Sequence, residues 1–154
     1  MSISAADAEA IDAVLARKTD AWNRHDMDAF VADTLPDVEW VNVVGMHWKG
    51  RDAVRKAHIA FHKGMFATSR LLPPDKKAMR EIAPGVVIVV QEGRIEGVGM
   101  TPGGTPYPAD GNVMTLMLVK TAEANAAGEW RIAHVHNTNI NAMAVAHDPA
   151  KRPD

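Results

Sequence analysis

His58 and His62 stand four residues apart in a run whose apolar members Val54, Ala57, Phe61 and Met65 recur at helical spacing. Imidazoles so spaced share one helix face, where they can move protons near neutral pH or share a metal ion. The intervening Ile59, Ala60 and Phe61 lack the glutamate of a zinc-protease helix, and a third ligand would have to come from His134 or His136. Structural hydrogen bonding is therefore the expected fate of these rings, with no metal. Lys18 is the other residue out of place, interrupting the apolar stripe Ile11, Val14, Leu15 and Trp22. It must either snorkel to the edge of the stripe, the favoured outcome, or reach into a cavity where an anionic or hydrogen-bonding group meets it.

The bulk composition narrows the chemistry. A chain of 154 residues with 47% apolar content fits one domain with its own core. The absence of cysteine removes thiolate nucleophiles and disulfides. A formal charge of -2 with scattered Lys and Arg lacks the basic stripe of a nucleic-acid binder. The small, acidic opening residues and the lack of a long apolar run point to a cytoplasmic protein with no membrane partner. Gly97, Gly99, Gly103 and Gly104 fall between strands and form no Rossmann fingerprint, so no cofactor is expected. Nine methionines and four tryptophans against three phenylalanines suit adaptable apolar cavities.

The elements that must position these residues follow from periodicity. A first helix begins after Ser4, with Asp7 completing a cap, and presents the Lys18 stripe. Asp26 caps a short second helix with Met27, Phe30 and Val31 inward, and Leu35 and Pro36 end it. Residues 38–44 alternate as a strand with Val38, Trp40, Asn42 and Val44 on one face; Gly45 bends the chain into a short strand at 46–48. A third helix spans about residues 51–66. Strands follow at 76–83, 86–97, 112–121 and 130–139, and residues 100–110, with three prolines, form a loop able to act as a lid. The domain is expected over residues 1–142, with a polar tail at 143–154. In the last strand, parity places Trp130, Ile132, His134 and His136 on one face and Ala133, Val135, Asn137 and Asn139 on the other. The predicted fold is α+β: a strongly curved, cone-like antiparallel sheet on three N-terminal helices around a central pocket. The outer face of the sheet also carries apolar residues, so a homodimer through that face is expected.

This order of elements resembles the nuclear transport factor 2-like superfamily, which includes ketosteroid isomerases and SnoaL-like polyketide cyclases. The resemblance is carried by residues 21–28 (AWNRHDMD), 40–45 (WVNVVG), 50–54 (GRDAV) and 130–137 (WRIAHVHN), and covers nearly the whole chain. The run VNVVGMHW at 41–48, with His58 and the terminal His-Asn, is most similar to an uncharacterised subgroup labelled as oxidoreductases of antibiotic biosynthesis clusters. The resemblance implies that Asn42 occupies the place of the isomerases' general-base carboxylate. An amide cannot accept a proton from carbon, so steroid isomerase activity is disfavoured. The isomerases' phenol falls near Lys18 and its acidic companion near Thr115 or Met117, leaving Lys18 as an electrophile.

The expected pocket contains Lys18, Trp22, Trp40, Asn42, Met46, His58, Phe61, His62, Met65, Met117 and Asn137. The resemblance favours Asn137 as the pocket residue and sets His134 and His136 toward the dimer face; with the parity reversed, His136 becomes the candidate base. As an enzyme, the chain would use His58 as acid/base and Lys18 and Asn42 as orienting or oxyanion-stabilising groups. The ligand would be a small apolar or aromatic, polyketide- or steroid-like molecule undergoing isomerisation, cyclisation or dehydration. The competing expectation is a module that binds a small molecule or dimerises without catalysis.

Overall fold

Ser4 starts helix α1 (Ala5–Asn23) by accepting a hydrogen bond from the Asp7 backbone amide at 3.1 Å, which satisfies an otherwise orphaned donor. The buried stripe of α1 is Ile11, Val14, Leu15, Lys18, Ala21 and Trp22. The chain reverses through His25, held at a positive φ of 58°, and Asp26 caps α2 (Met27–Val31) by accepting from Ala29 N at 3.0 Å. Met27, Phe30 and Val31 face inward as expected. The computed structural model describes residues 3–101, 103–106, 111–125 and 128–151, so residues 102 and 107–110 of the expected lid lie outside the described residues.

Strands β1 (Thr34–Val41) and β2 (His47–Lys49) precede α3 (Arg51–His62). β3 (Arg70–Leu71), β4 (Lys76–Ala83), β5 (Val86–Gly93), β6 (Ile95–Glu96), β7 (Asn112–Asn125) and β8 (Gly128–Asn139) follow, then the short helix α4 (Ala142–Ala146). Six strands form one curved sheet in the order β2-β1-β8-β7-β5-β4, against which the three helices pack. Its ladders are antiparallel except that β1 runs parallel to β8. The core between layers includes Ile11, Val14, Val38, Val54, Val87, Val89, Leu116, Leu118, Ile132 and Val135, all fully buried. No helix among the described residues is long and apolar enough to cross a membrane.

Several boundaries differ from expectation. β1 begins at Thr34, so Leu35 and Pro36 lie inside it instead of ending α2; its register with β8 shifts between Thr34 and Glu39, where proline's missing N–H interrupts no regular ladder. α3 ends at His62, leaving Met65 in the following turns. β5 stops at Gly93, and the chain leaves the large sheet so that β6 pairs with β3. Gly97 anchors that departure: at φ +68°, any Cβ there would sit 2.4 Å from the Thr68 carbonyl oxygen. The small β3–β6 sheet thereby holds Leu71 and Ile95 against the central cavity.

The last strand contains the decisive irregularity. Met117 pairs with His134, but Leu118 pairs with Ile132, so Ala133 is an extra residue in β8. The bulge reverses parity: Trp130 and Ile132 face the core, and so do Val135, Asn137 and Asn139 beyond it. Expectation put Ile132 and Val135 on opposite faces, and they share one. His134 and His136 point outward, as the favoured assignment held, with His136 exposed.

Candidate functional site

α1, α2, β1 and α3 converge on an aromatic box. Phe30 lies 5.5 Å, ring centre to ring centre, from Trp40 and 4.9 Å from His58. Trp48 and Phe61 close the α3 side, and Trp22 and Phe66 the other. The space left is a cavity of about 90 Å³, whose polar end is formed by Asn42, Asn112, Asn137 and Asn139.

Lys18 enters this box from α1 and does not snorkel. It is 4% exposed, its Nζ lies 5.1 Å from the centre of the Phe30 ring and 5.7 Å from that of Trp40, and no ion pair holds it among the described residues. The two ring faces offset part of the lost hydration. Burial lowers the ammonium pKa to about 8.

His58, 5% exposed, shares the walls Phe30 and Trp40. Its Nδ1 lies 2.8 Å from the Val54 carbonyl oxygen, which can only accept, so Nδ1 carries the proton and Nε2 keeps its lone pair for the cavity. Burial lowers its pKa to about 4; the Val54 bond opposes the shift, while Lys18 and His62 add to it. At neutral pH the site therefore pairs a buried cation with a neutral imidazole acceptor.

Asn42 lines the cavity, but its side-chain oxygen is occupied as acceptor from Val44 N at 3.1 Å and Met46 N at 2.8 Å. Only its NH2 group remains to meet a ligand. Asn112 Nδ2 donates to Asn137 Oδ1, joining β7 to β8 at the cavity's polar end.

Of the residues expected in the pocket, Lys18, Trp22, Trp40, Asn42, His58, Phe61 and Asn137 come together. Four do not. Met46 is 47% exposed, because the Asn42-capped turn swings it outward. Met65 lies past the end of α3, outside the lining, where its carbonyl accepts from Gly99 N at 2.8 Å. Met117 faces away, since Met114, Leu116 and Leu118 take the inner face of β7. His62 turns toward α1, meeting His25 Nδ1 to Nδ1 at 2.8 Å and flanking Trp22 at 4.4 Å. Burial, then the neighbouring His25, lowers the His62 pKa to about 4, and its buried Nε2 has no hydrogen-bond partner among the described residues.

The lining also takes in Phe30, Val43, Trp48, Phe66, Leu71, Ile95, Gly111, Asn112, Met114 and Asn139, none of which belongs to the expected pocket. Met114 was recoverable from the Met114–Leu116–Leu118 alternation, and Phe30 from its inward place on α2. Leu71 and Ile95 carried no local signal, because the small β3–β6 sheet brings them in.

A second, open cleft of about 560 Å³ adjoins the cavity between α1 and the β3–β4 segment. Lys18, Leu71, Asn112 and Met114 line both spaces and so form the partition between them. Arg70, Arg94 and Lys77 on the outer cleft are balanced by Asp12, Asp20 and Glu96. Among the described residues, no three His, Asp or Glu side chains are grouped to hold a metal.

Residues 15–123 match the SnoaL-like domain family. An uncharacterised protein of cystatin-like fold from Caulobacter vibrioides is 36% identical, covering 95% of this chain and 98% of its own, with a TM-score of 0.84. A nuclear transport factor 2-like protein of unknown function from Pseudomonas putida KT2440 has 14% identity, 94% coverage of each chain and a TM-score of 0.68. A candidate scytalone dehydratase from Novosphingobium aromaticivorans has 12% identity, coverage of 88% of this chain and 89% of its own, and a TM-score of 0.68. The last two likenesses are of fold alone. No curated protein matches the chain in sequence.

Proposed function

Because this chain belongs to the SnoaL-like domain family, within the nuclear transport factor 2-like superfamily, we propose that it binds a small apolar or aromatic molecule in its central cavity and acts on it by cofactor-independent acid/base chemistry. The observation that carries this reading is the sharing of one aromatic box by the Lys18 ammonium and the neutral His58 imidazole. Lys18 donates to a carbonyl oxygen and stabilises the negative charge that develops there. His58 Nε2 takes the proton that this polarisation acidifies. A base with a pKa of about 4 is weak, so proton removal depends on Lys18. Isomerisation, cyclisation and dehydration of a polyketide- or steroid-like compound all need this pair of acts. A ligand bigger than the inner cavity extends past Leu71 and Met114 into the outer cleft.

The competing reading is a binding or dimerisation module without catalysis, and the inner volume of about 90 Å³, below the several hundred typical of ligand sites, favours its dimerisation form. One variant separates them. His58→Gln should abolish turnover while leaving ligand affinity, followed by tryptophan fluorescence, within about twofold. Equal turnover in variant and parent would remove His58 as the base, and binding without turnover in the parent would remove the catalytic reading and leave the binding module. We also propose that two copies associate through the outer sheet face, where Ile88 and Met117 are cross-strand partners.

A further inference from the structure

Acid/base chemistry employs only the protonated form of Lys18, yet the same position suits the free amine as a nucleophile. We propose that Lys18 captures small apolar aldehydes or ketones as a Schiff base, its Nζ being buried in an aromatic cavity with no carboxylate paired to it among the described residues. Capture rests on the cavity being a small-molecule site, and adds covalent chemistry to it.

Three features support this. Lys18 lines both the inner cavity and the open cleft while its amine faces the Phe30 and Trp40 rings of the inner cavity, so a carbonyl compound that enters from the cleft past Lys18 brings its apolar part among the rings. Burial without a paired carboxylate favours the uncharged amine: with a pKa of about 8 against the ordinary 10.5, Lys18 holds on the order of a few hundredfold more free amine at neutral pH than an unperturbed lysine. A carboxylate partner would have worked against this by holding the charge. His58 faces the same two rings with an unprotonated Nε2, suited to relaying a proton from nitrogen to oxygen.

The step balances without a co-reactant. The Nζ lone pair forms a bond to the carbonyl carbon while the C=O π pair moves to oxygen. One proton then passes from nitrogen to that oxygen, giving a carbinolamine. The nitrogen lone pair forms the C=N bond as hydroxide departs, and the proton released from nitrogen makes it water. Taking one proton back from solvent water, the imine becomes an iminium that acidifies the adjacent C–H, the bond a weak base such as His58 needs weakened.

The test uses the full chain with butanal and cyanoborohydride, followed by peptide mapping, with butan-1-ol as a probe that binds without reacting. The expected result is a butyl group concentrated on Lys18, with a labelling rate that is half-maximal near pH 8. Exposed Lys76, paired with Glu92, should label more slowly. Lys18→Met, checked for a cooperative melt, should lose that adduct; the mapping of the parent chain decides the matter even if the variant fails to fold. Labelling confined to surface lysines, while butan-1-ol raises the melting temperature, would overturn capture and leave the binding site standing. No Lys18 adduct together with no butan-1-ol effect would overturn both.

Discussion

His25 and His62 meet Nδ1 to Nδ1 at 2.8 Å, so one ring must carry the shared proton and the other must accept it. A second proton on the pair would end this bond and set two cations side by side. His62 and His58 both have their pKa lowered to about 4, chiefly by burial. Between pH 6.5 and 4 the unfolded chain binds protons on these rings and the folded chain does not. Stability is therefore complete above pH 6.5 and is lost as pH falls through 4. His58 alone contributes up to about 3 kcal/mol of this loss. Melting temperature scanned from pH 7 to 4 should fall steeply, and His58→Gln should flatten the slope; a level profile in the parent would contradict both assignments.

Lys18 gives the opposite kind of test, at alkaline pH. Its folded pKa of about 8 lies below the ordinary 10.5, so the burial penalty is complete below pH 8 and is relieved as pH rises toward 10.5. Urea denaturation should show the parent gaining up to about 3 kcal/mol across that window. Lys18→Met should be more stable than the parent at pH 7 and show no such gain.

The bulge at Ala133 predicts unequal effects of neighbouring substitutions. His136 is exposed on the outer face, so His136→Ala should change stability by no more than about 0.5 kcal/mol and leave ligand affinity intact. Asn137→Ala removes the acceptor of the Asn112 amide and should cost about 1–2 kcal/mol, with weaker binding. Denaturation and fluorescence titration of the two variants read both effects, and a reversed order would mean that the parity of β8 is wrong.

Trp22 Nε1 donates to Ser69 Oγ at 3.1 Å, and Ser69 is fully buried, so the bond ties α1 to the segment leading into β3 and Leu71. Trp22→Phe should cost about 1–3 kcal/mol by removing the donor to Ser69 Oγ, which keeps only its own bond to the Phe66 carbonyl, and by reducing packing. A double-mutant cycle with Ser69→Ala should show a coupling of at least about 0.5 kcal/mol. Additive effects would mean that the bond contributes nothing.

Light scattering at micromolar concentration should give twice the chain mass if the outer face is an interface. Met117→Glu would place a charge beside Ile88 and should give the mass of a single chain with little change in melting temperature. A monomeric parent chain would remove the dimer.

Local pattern was enough for the framework. Capping at Ser4 and Asp26, the apolar stripes of α1 and α3 and the alternation of β1 placed Trp22, Trp40, His58 and Phe61 on inward faces, because periodicity along an element depends only on backbone geometry. The arrangement of elements likewise pointed to the nuclear transport factor 2-like fold. Periodicity could not foresee the extra residue at Ala133, because a bulge is decided by pairing with β7, a separate stretch of chain. It could not aim Lys18 either, since a long side chain goes where its neighbours leave room, and here they left it between Phe30 and Trp40. Met46, His62, Met65 and Met117 left the pocket for the same reason: spacing assigned them a face, while a capped turn, a partner at His25, an early helix end and the packing of β7 determined where they went.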